Sequence, residues 1–117
     1  MLFILQLVPI WDIMNGMKII AQSTLRRFWQ QYPDAEQPLK AWYAEVAKAQ
    51  WTTPHDIKAK YKNASVLKNN RIVFNIKGNK YRLIVACHFA TQRLFIKFVG
   101  THNEYDKINA ETVELEI

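Results

Sequence analysis

The chain has 117 residues, half of them hydrophobic, and its 16 Lys and Arg outweigh 10 Asp and Glu for a formal net charge of +6. That length is one domain able to bury a core, and 13% aromatic residues beside 22% charged ones exclude a disordered or low-complexity chain. A single cysteine, Cys87, excludes a disulfide framework and a Cys-based zinc cluster and fits a reducing cytoplasm, and no apolar run approaches the ~18 residues of a membrane span.

Residues 1–16 (MLFILQLVPIWDIMNG) are apolar, but Pro9 and Asp12 interrupt them and no Lys or Arg precedes them, so they do not read as a secretory signal. Met17 begins a self-sufficient domain. Residues 1–16 are therefore expected to be an N-terminal extension, from an upstream start codon or as a short segment packed on the domain, and residues 17–117 the domain itself.

From Met17 the first half reads as helical. Ser23 is placed to cap a helix whose Leu25, Phe28, Trp29 and Tyr32 form one apolar stripe, ended by Pro33. Asp34 and Gln37 have the spacing of a capping box for a second helix, carrying Leu39, Trp42, Tyr43 and Val46. Thr53-Pro54 starts a short third helix that runs to about Tyr61.

The second half alternates with period two. Residues 71–77 lead through Gly78-Asn79 into residues 80–89, a hairpin in which Asn75 faces Arg82 and Val73 faces Ile84. One face then collects Ile72, Phe74, Ile76, Tyr81, Leu83, Val85, Cys87 and Phe89, which is a core face. A third strand, residues 94–99, is expected to add Leu94, Ile96 and Phe98 to it. Thr101 and Glu104 make a capping box for a short last helix with Tyr105 and Ile108. The fold class is α+β: N-terminal helices packed on a small antiparallel sheet, closed by a short C-terminal helix.

The charge is unevenly distributed. Residues 1–56 balance five basic against five acidic groups, whereas residues 57–103 hold ten Lys and Arg and no Asp or Glu. The last fourteen residues reverse the sign, with five acids against Lys107. Forty-seven consecutive residues without a carboxylate point to an external polyanion, and phosphate gains from such a surface by counterion release. The solvated sheet face is expected to carry Arg71, Asn75, Lys77, Lys80, Arg82, His88 and Lys97.

Arg82, Lys77, Lys80, Asn75 and Lys97 on one face suit a phosphodiester, because Arg offers paired planar donors and Lys a mobile charge. His102 and Tyr105 lie at the edge of that face on the capped helix, whose first N–H groups also favour an anion. His titrates near neutrality and can move a proton; a Tyr does so where neighbouring cations favour its phenolate. The three histidines, His55, His88 and His102, have no ligand spacing, and nucleotide-binding glycine motifs are absent, so neither a metal nor a cofactor is expected. Metal-free RNA cleavage fits this inventory. The 2′-hydroxyl attacks its own 3′-phosphate, and the protein supplies orientation, a base, an acid and charge stabilisation.

The stretches FNIKGNKYRLIV (74–85) and FIKFVGTHNEYDKI (95–108) strongly resemble the HigB toxins of bacterial type II toxin–antitoxin systems, and FWQQYPDAEQPLKAWY (28–43) and ASV…NNRIVFNIKGN (64–79) fit the same pattern. The resemblance covers about residues 17–112. It implies a RelE-like fold and a ribosome-dependent, cytoplasmic mRNA interferase, neutralised by a HigA-like helix-turn-helix antitoxin in a toxin–antitoxin hetero-oligomer. By the same resemblance Arg82, Lys77 and Lys97 would stabilise the phosphate, His102 and Tyr105 would serve as acid and base, and Lys80, Asn75, Arg71, Lys68 and Arg93 would hold RNA. The competing readings are a non-catalytic RNA-binding module using the same face and a DNA-binding co-repressor, for which no recognition helix is evident.

Overall fold

The computed structural model describes residues 16–115, so the expected extension lies outside the described residues except for Gly16. The elements run in chain order as β1 (Lys18–Ile20), α1 (Gln22–Gln31), a 3-10 turn (Pro33–Ala35), α2 (Glu36–Lys48), α3 (Pro54–Lys60), β2 (Ser65–Val66), β3 (Arg71–Ile76), β4 (Tyr81–His88), β5 (Arg93–Thr101) and α4 (His102–Tyr105). The strands form one sheet in the order β1-β5-β4-β3-β2. The α+β expectation holds, with two additions: the two-residue β2 pairs antiparallel with β3, and β1 joins the sheet parallel to β5, aligning Ile19 with Leu94. Three residues are too few to show a period, which is why this strand is silent in the sequence.

The helices pack on one sheet face through the stripes read from their spacing. Leu25 and Phe28 of α1 and Leu39, Trp42 and Val46 of α2 are buried against Ile72, Phe74, Ile76, Tyr81, Leu83, Val85 and Cys87. Edge-to-face rings tie the layers, with Trp42 at 5.4 Å and Tyr61 at 5.1 Å from Phe74, and Phe28 at 5.2 Å from Tyr81. Cys87 is one of these packing groups, and burial pushes its thiol up to about 12. Phe89 packs on the same core from a half-buried position.

Two of the four expected caps form. Thr53 with Asp56 and Thr101 with Glu104 are reciprocal capping boxes. Helix α1 instead starts directly from β1, with Ala21 at the cap position and Ser23 inside the helix. Asp34 does not cap α2, because its carboxylate accepts from the Lys80 ammonium and the Tyr81 hydroxyl across the layer. A buried phenol and a cation offer that carboxylate stronger donors than a neutral backbone N–H.

The hairpin has the expected register, Asn75 opposite Arg82 and Val73 opposite Ile84. The third strand departs from expectation at a bulge. Val85 pairs with Ile96, but Ile84 pairs with Phe98, so Lys97 is the extra residue. The slip sends Phe98 to the face away from the helices and gives its core position to Val99, opposite Leu83. Gly100 makes room for the displaced ring: a Cβ there would stand 2.5 Å from Phe98.

The second face is not a solvated cationic surface. Val73, Ile84 and Ala86 are buried on it, and the C-terminal residues fold across. Arg71, only 5% exposed, donates to the carbonyls of Ala110 and Val113 and pairs with Glu114 at 2.8 Å. Lys97 reaches the same carboxylate at 2.7 Å, and Asn69 donates to the Glu111 carbonyl at 3.2 Å. The acid-rich tail thus neutralises part of the basic face. Arg71→Met should lower the unfolding free energy by about 1–3 kcal/mol, since it strands the Ala110 and Val113 carbonyls, and the loss should appear as a lower denaturant midpoint with an unchanged m value.

Candidate active site

The site is assembled around the β3–β4 turn. Ladder pairing stops at Ile76–Tyr81, and residues 77–80 project beyond the sheet. Lys77 (φ 53°) and Gly78 (φ 63°) both take the left-handed conformation, which brings Asn79 back over the strand. The carbonyl and side-chain oxygens of Asn79 accept from the Arg82 guanidinium at 2.9 and 2.8 Å. Asn79 therefore does more than make the turn.

Arg82 is the second residue of β4, flanked in the sheet by Asn75 of β3 and Gly100 of β5, and is 8% exposed. Its guanidinium stands 5.6 Å from the ring centre of Tyr105, a cation–π distance that places the phenol of α4 beside the charge. Among the described residues no carboxylate pairs with Arg82, although Arg71, Lys77, Lys80 and Lys97 all have one. Burial without a counter-charge leaves this guanidinium with donors free for an incoming anion.

Helix α4 follows β5 without a loop, so strand register and capping box together fix its side chains. His102 is exposed, with Nδ1 3.2 Å from the Asp106 carboxylate. The expected anion site at the helix start does not form. Of the first N–H groups, that of His102 goes to the Lys80 carbonyl at 3.1 Å and that of Glu104 to the Thr101 hydroxyl.

The residues singled out from sequence separate into four places. Arg82, Tyr105 and exposed Asn75 share one end of the second face, with His102 at its rim. Lys77 and Lys80, expected beside them on that face, instead reach toward the helices to pair with Asp34. Leaving the ladder ended the alternation that had assigned them a side. Arg71, Lys68 and Arg93 lie at the opposite end, because Arg71 pairs with Ala86 and Arg93 with His88. Six residue steps of strand lead from Arg82 to His88, roughly 20 Å. Lys97 sits between the two ends, held by Glu114.

Two acidic residues were missed. Asp34 read as a cap, and only its position between two helices could have hinted otherwise; Glu114 was visible as part of an acidic tail without a target. Asp34 lines a cleft of about 610 Å³ with Tyr32, Lys80, Tyr81, His102 and Asn103. The Lys80 ammonium, and next the Tyr81 hydroxyl, hold the Asp34 carboxyl below the usual range. Lys97 does the same for Glu114. Among the described residues no three His, Cys, Asp or Glu side chains converge as metal ligands.

Residues 35–108 match the model of a family described as HigB_toxin, the RelE-like toxic component of a toxin–antitoxin system. The chain is 31% identical over 96 residues to the "mRNA interferase toxin HigB" of Escherichia coli strain K12, covering 80% of this chain and 92% of that protein. The "mRNA interferase HigB" of Escherichia coli O6:H1 is 28% identical over 94 residues, covering 79% of this chain and 91% of that one.

A carboxyl whose folded-state pKa is depressed contributes stability above its unfolded value of about 4, and that contribution is lost as the pH falls through the lower folded value. Melting temperature should therefore drop with acidification below about pH 4. An Asp34→Asn/Glu114→Gln double variant should be less stable at neutral pH and show a shallower acid decline in thermal melts.

Proposed function

The chain belongs to the HigB toxin family, the mRNA-cleaving toxins of toxin–antitoxin systems, and on that premise we propose that it cuts mRNA on the translating ribosome in the cytoplasm and is neutralised by a HigA-like helix-turn-helix antitoxin. The observation that carries the site assignment is Arg82: a buried guanidinium, oriented by Asn79, without a carboxylate partner among the described residues.

The chemistry follows from the inventory. The ribosome presents a single-stranded codon, and the 2′-hydroxyl of one nucleotide attacks the adjoining phosphate. Negative charge builds on the non-bridging oxygens of the phosphorane, where the Arg82 guanidinium stabilises it. A proton must leave the 2′-hydroxyl and another must reach the departing 5′-oxygen. We assign these transfers to His102, exposed and with Nδ1 beside Asp106, and Tyr105, beside the Arg82 charge; their neighbourhood supports the reading. The products are a 2′,3′-cyclic phosphate and a 5′-hydroxyl end. Lys68 and Arg93, exposed at the far end, give the RNA or ribosomal backbone a second, weaker hold.

Arg82→Ala should lower cleavage of translated mRNA by about 10²–10³-fold while antitoxin binding and far-ultraviolet circular dichroism stay as in the parent. His102→Ala and Tyr105→Phe should each cost about 10²-fold or more. Primer extension after induced expression reads all three. Intact transcripts from the parent chain would favour a non-catalytic RNA-binding module, and a well-folded Arg82→Ala variant with full toxicity would remove Arg82 from the mechanism.

A further inference from the structure

Two groups of the proposed site are anchored to the same four residues. Asn79 grips the Arg82 guanidinium, and the Lys80 carbonyl accepts the N–H of His102 at 3.1 Å. Both belong to the turn 77–80, which has no ladder partner and contains a lysine at φ 53°. The turn has one closing bond of its own, the Lys80 N–H on the Lys77 carbonyl at 3.2 Å, and because lysine avoids that conformation when free, an added hold from outside favours it.

Asp34 supplies the hold. One carboxylate oxygen accepts from the Lys80 ammonium and stands 3.9 Å from that of Lys77; the other accepts from the Tyr81 hydroxyl at the root of the turn. Asp34 is itself rigidly placed. It sits in the 3-10 turn between α1 and α2, closed by the Ala35 N–H on the Tyr32 carbonyl at 2.9 Å, with Tyr32 stacked on Phe28 at 4.7 Å. A continuous path therefore runs from the helical layer through Asp34 and Lys80 to Arg82 and His102.

We infer that Asp34 is a positioning residue for RNA cleavage: it clamps the 77–80 turn and thereby aims Arg82 and His102 at one phosphate. This rests on the site assignment above. It also reverses the part that Lys77 and Lys80 play. As phosphate ligands they would be weakened by Asp34, and removing its charge would release them to RNA. As struts of the turn they need Asp34, and removing its charge lets the turn drift. The two roles predict opposite signs.

Asp34→Asn separates them, since the amide oxygen still accepts from Tyr81 while the charge that fixes the lysines is gone. With the full chain acting on programmed ribosomes, the turnover rate should fall about 10- to 100-fold, with the apparent KM within about threefold of the parent. Asn79→Ala should fall similarly, and adding Asp34→Asn to it should cost little more, because both act through the same turn. Lys80→Met, which leaves the Asp34–Tyr81 bond in place, should reproduce the loss if Asp34→Asn proves poorly folded. Unchanged or faster cleavage by a folded Asp34→Asn variant would overturn the inference, as would losses that simply add in the double variant. Arg82→Ala keeps the two levels apart. If it stays active the site assignment fails, whereas an inactive Arg82→Ala beside a fully active Asp34→Asn refutes the clamp alone.

Discussion

A guanidinium buried on the face of a β-sheet must be hydrogen-bonded or it destabilises the sheet that carries it. Arg82 meets that requirement without a carboxylate, by turning back onto the carbonyl and side-chain oxygens of Asn79. Much of the site's construction follows. The turn must fold over the strand, so Lys77 and Gly78 go left-handed. Opposite Arg82 on β5 stands Gly100, over which the ring of Phe98 lies. The open side of the guanidinium is faced by Tyr105, whose helix begins where β5 ends.

Neutral acceptors hold the charge in place but do not cancel it. Elsewhere the protein cancels charge freely. Glu114 engages both Arg71 and Lys97, Asp34 engages Lys77 and Lys80, and Glu45 lies 3.7 Å from Lys60. The exposed pairs among these add little stability singly. Their consequence is selective: they quiet part of the basic surface and leave buried Arg82, along with exposed cations such as Lys68 and Arg93, without a carboxylate among the described residues. A phosphorane, whose charge develops during the reaction, gains most from a cation that is already desolvated and already aimed.

The C-terminal residues give the second sheet face its other half. Their carbonyls at Ala110 and Val113 and the Glu114 carboxylate satisfy Arg71, which turns a residue of RNA-binding type into an internal brace. Val73, Ile84 and Ala86 are buried on this face, away from the packed layer of α1 and α2. The same segment leaves Arg82 and Tyr105 at the other end of the face, so one short tail both completes the fold and bounds the site.

Local patterning determined a large share of this by itself. The periods of 3.6 and 2, Thr53-Pro54, the Thr101–Glu104 box and the Gly78-Asn79 turn are all read within a few residues of each other, because capping, turn chemistry and strand alternation are short-range. The hairpin register, the core face and the pairing of Asn75 with Arg82 followed from them, and the motif around residues 95–108 carried the family. Contacts between distant segments were decided only in three dimensions. Asp34 chose Lys80 and Tyr81 over its own helix, Glu114 chose Arg71 and Lys97, and one bulged residue moved Phe98 across the sheet. A charge in a sequence states its sign but not its partner. Which of the cations stays unneutralised depends on which carboxylates the fold brings within about 4 Å, and that is a property of packing rather than of order along the chain.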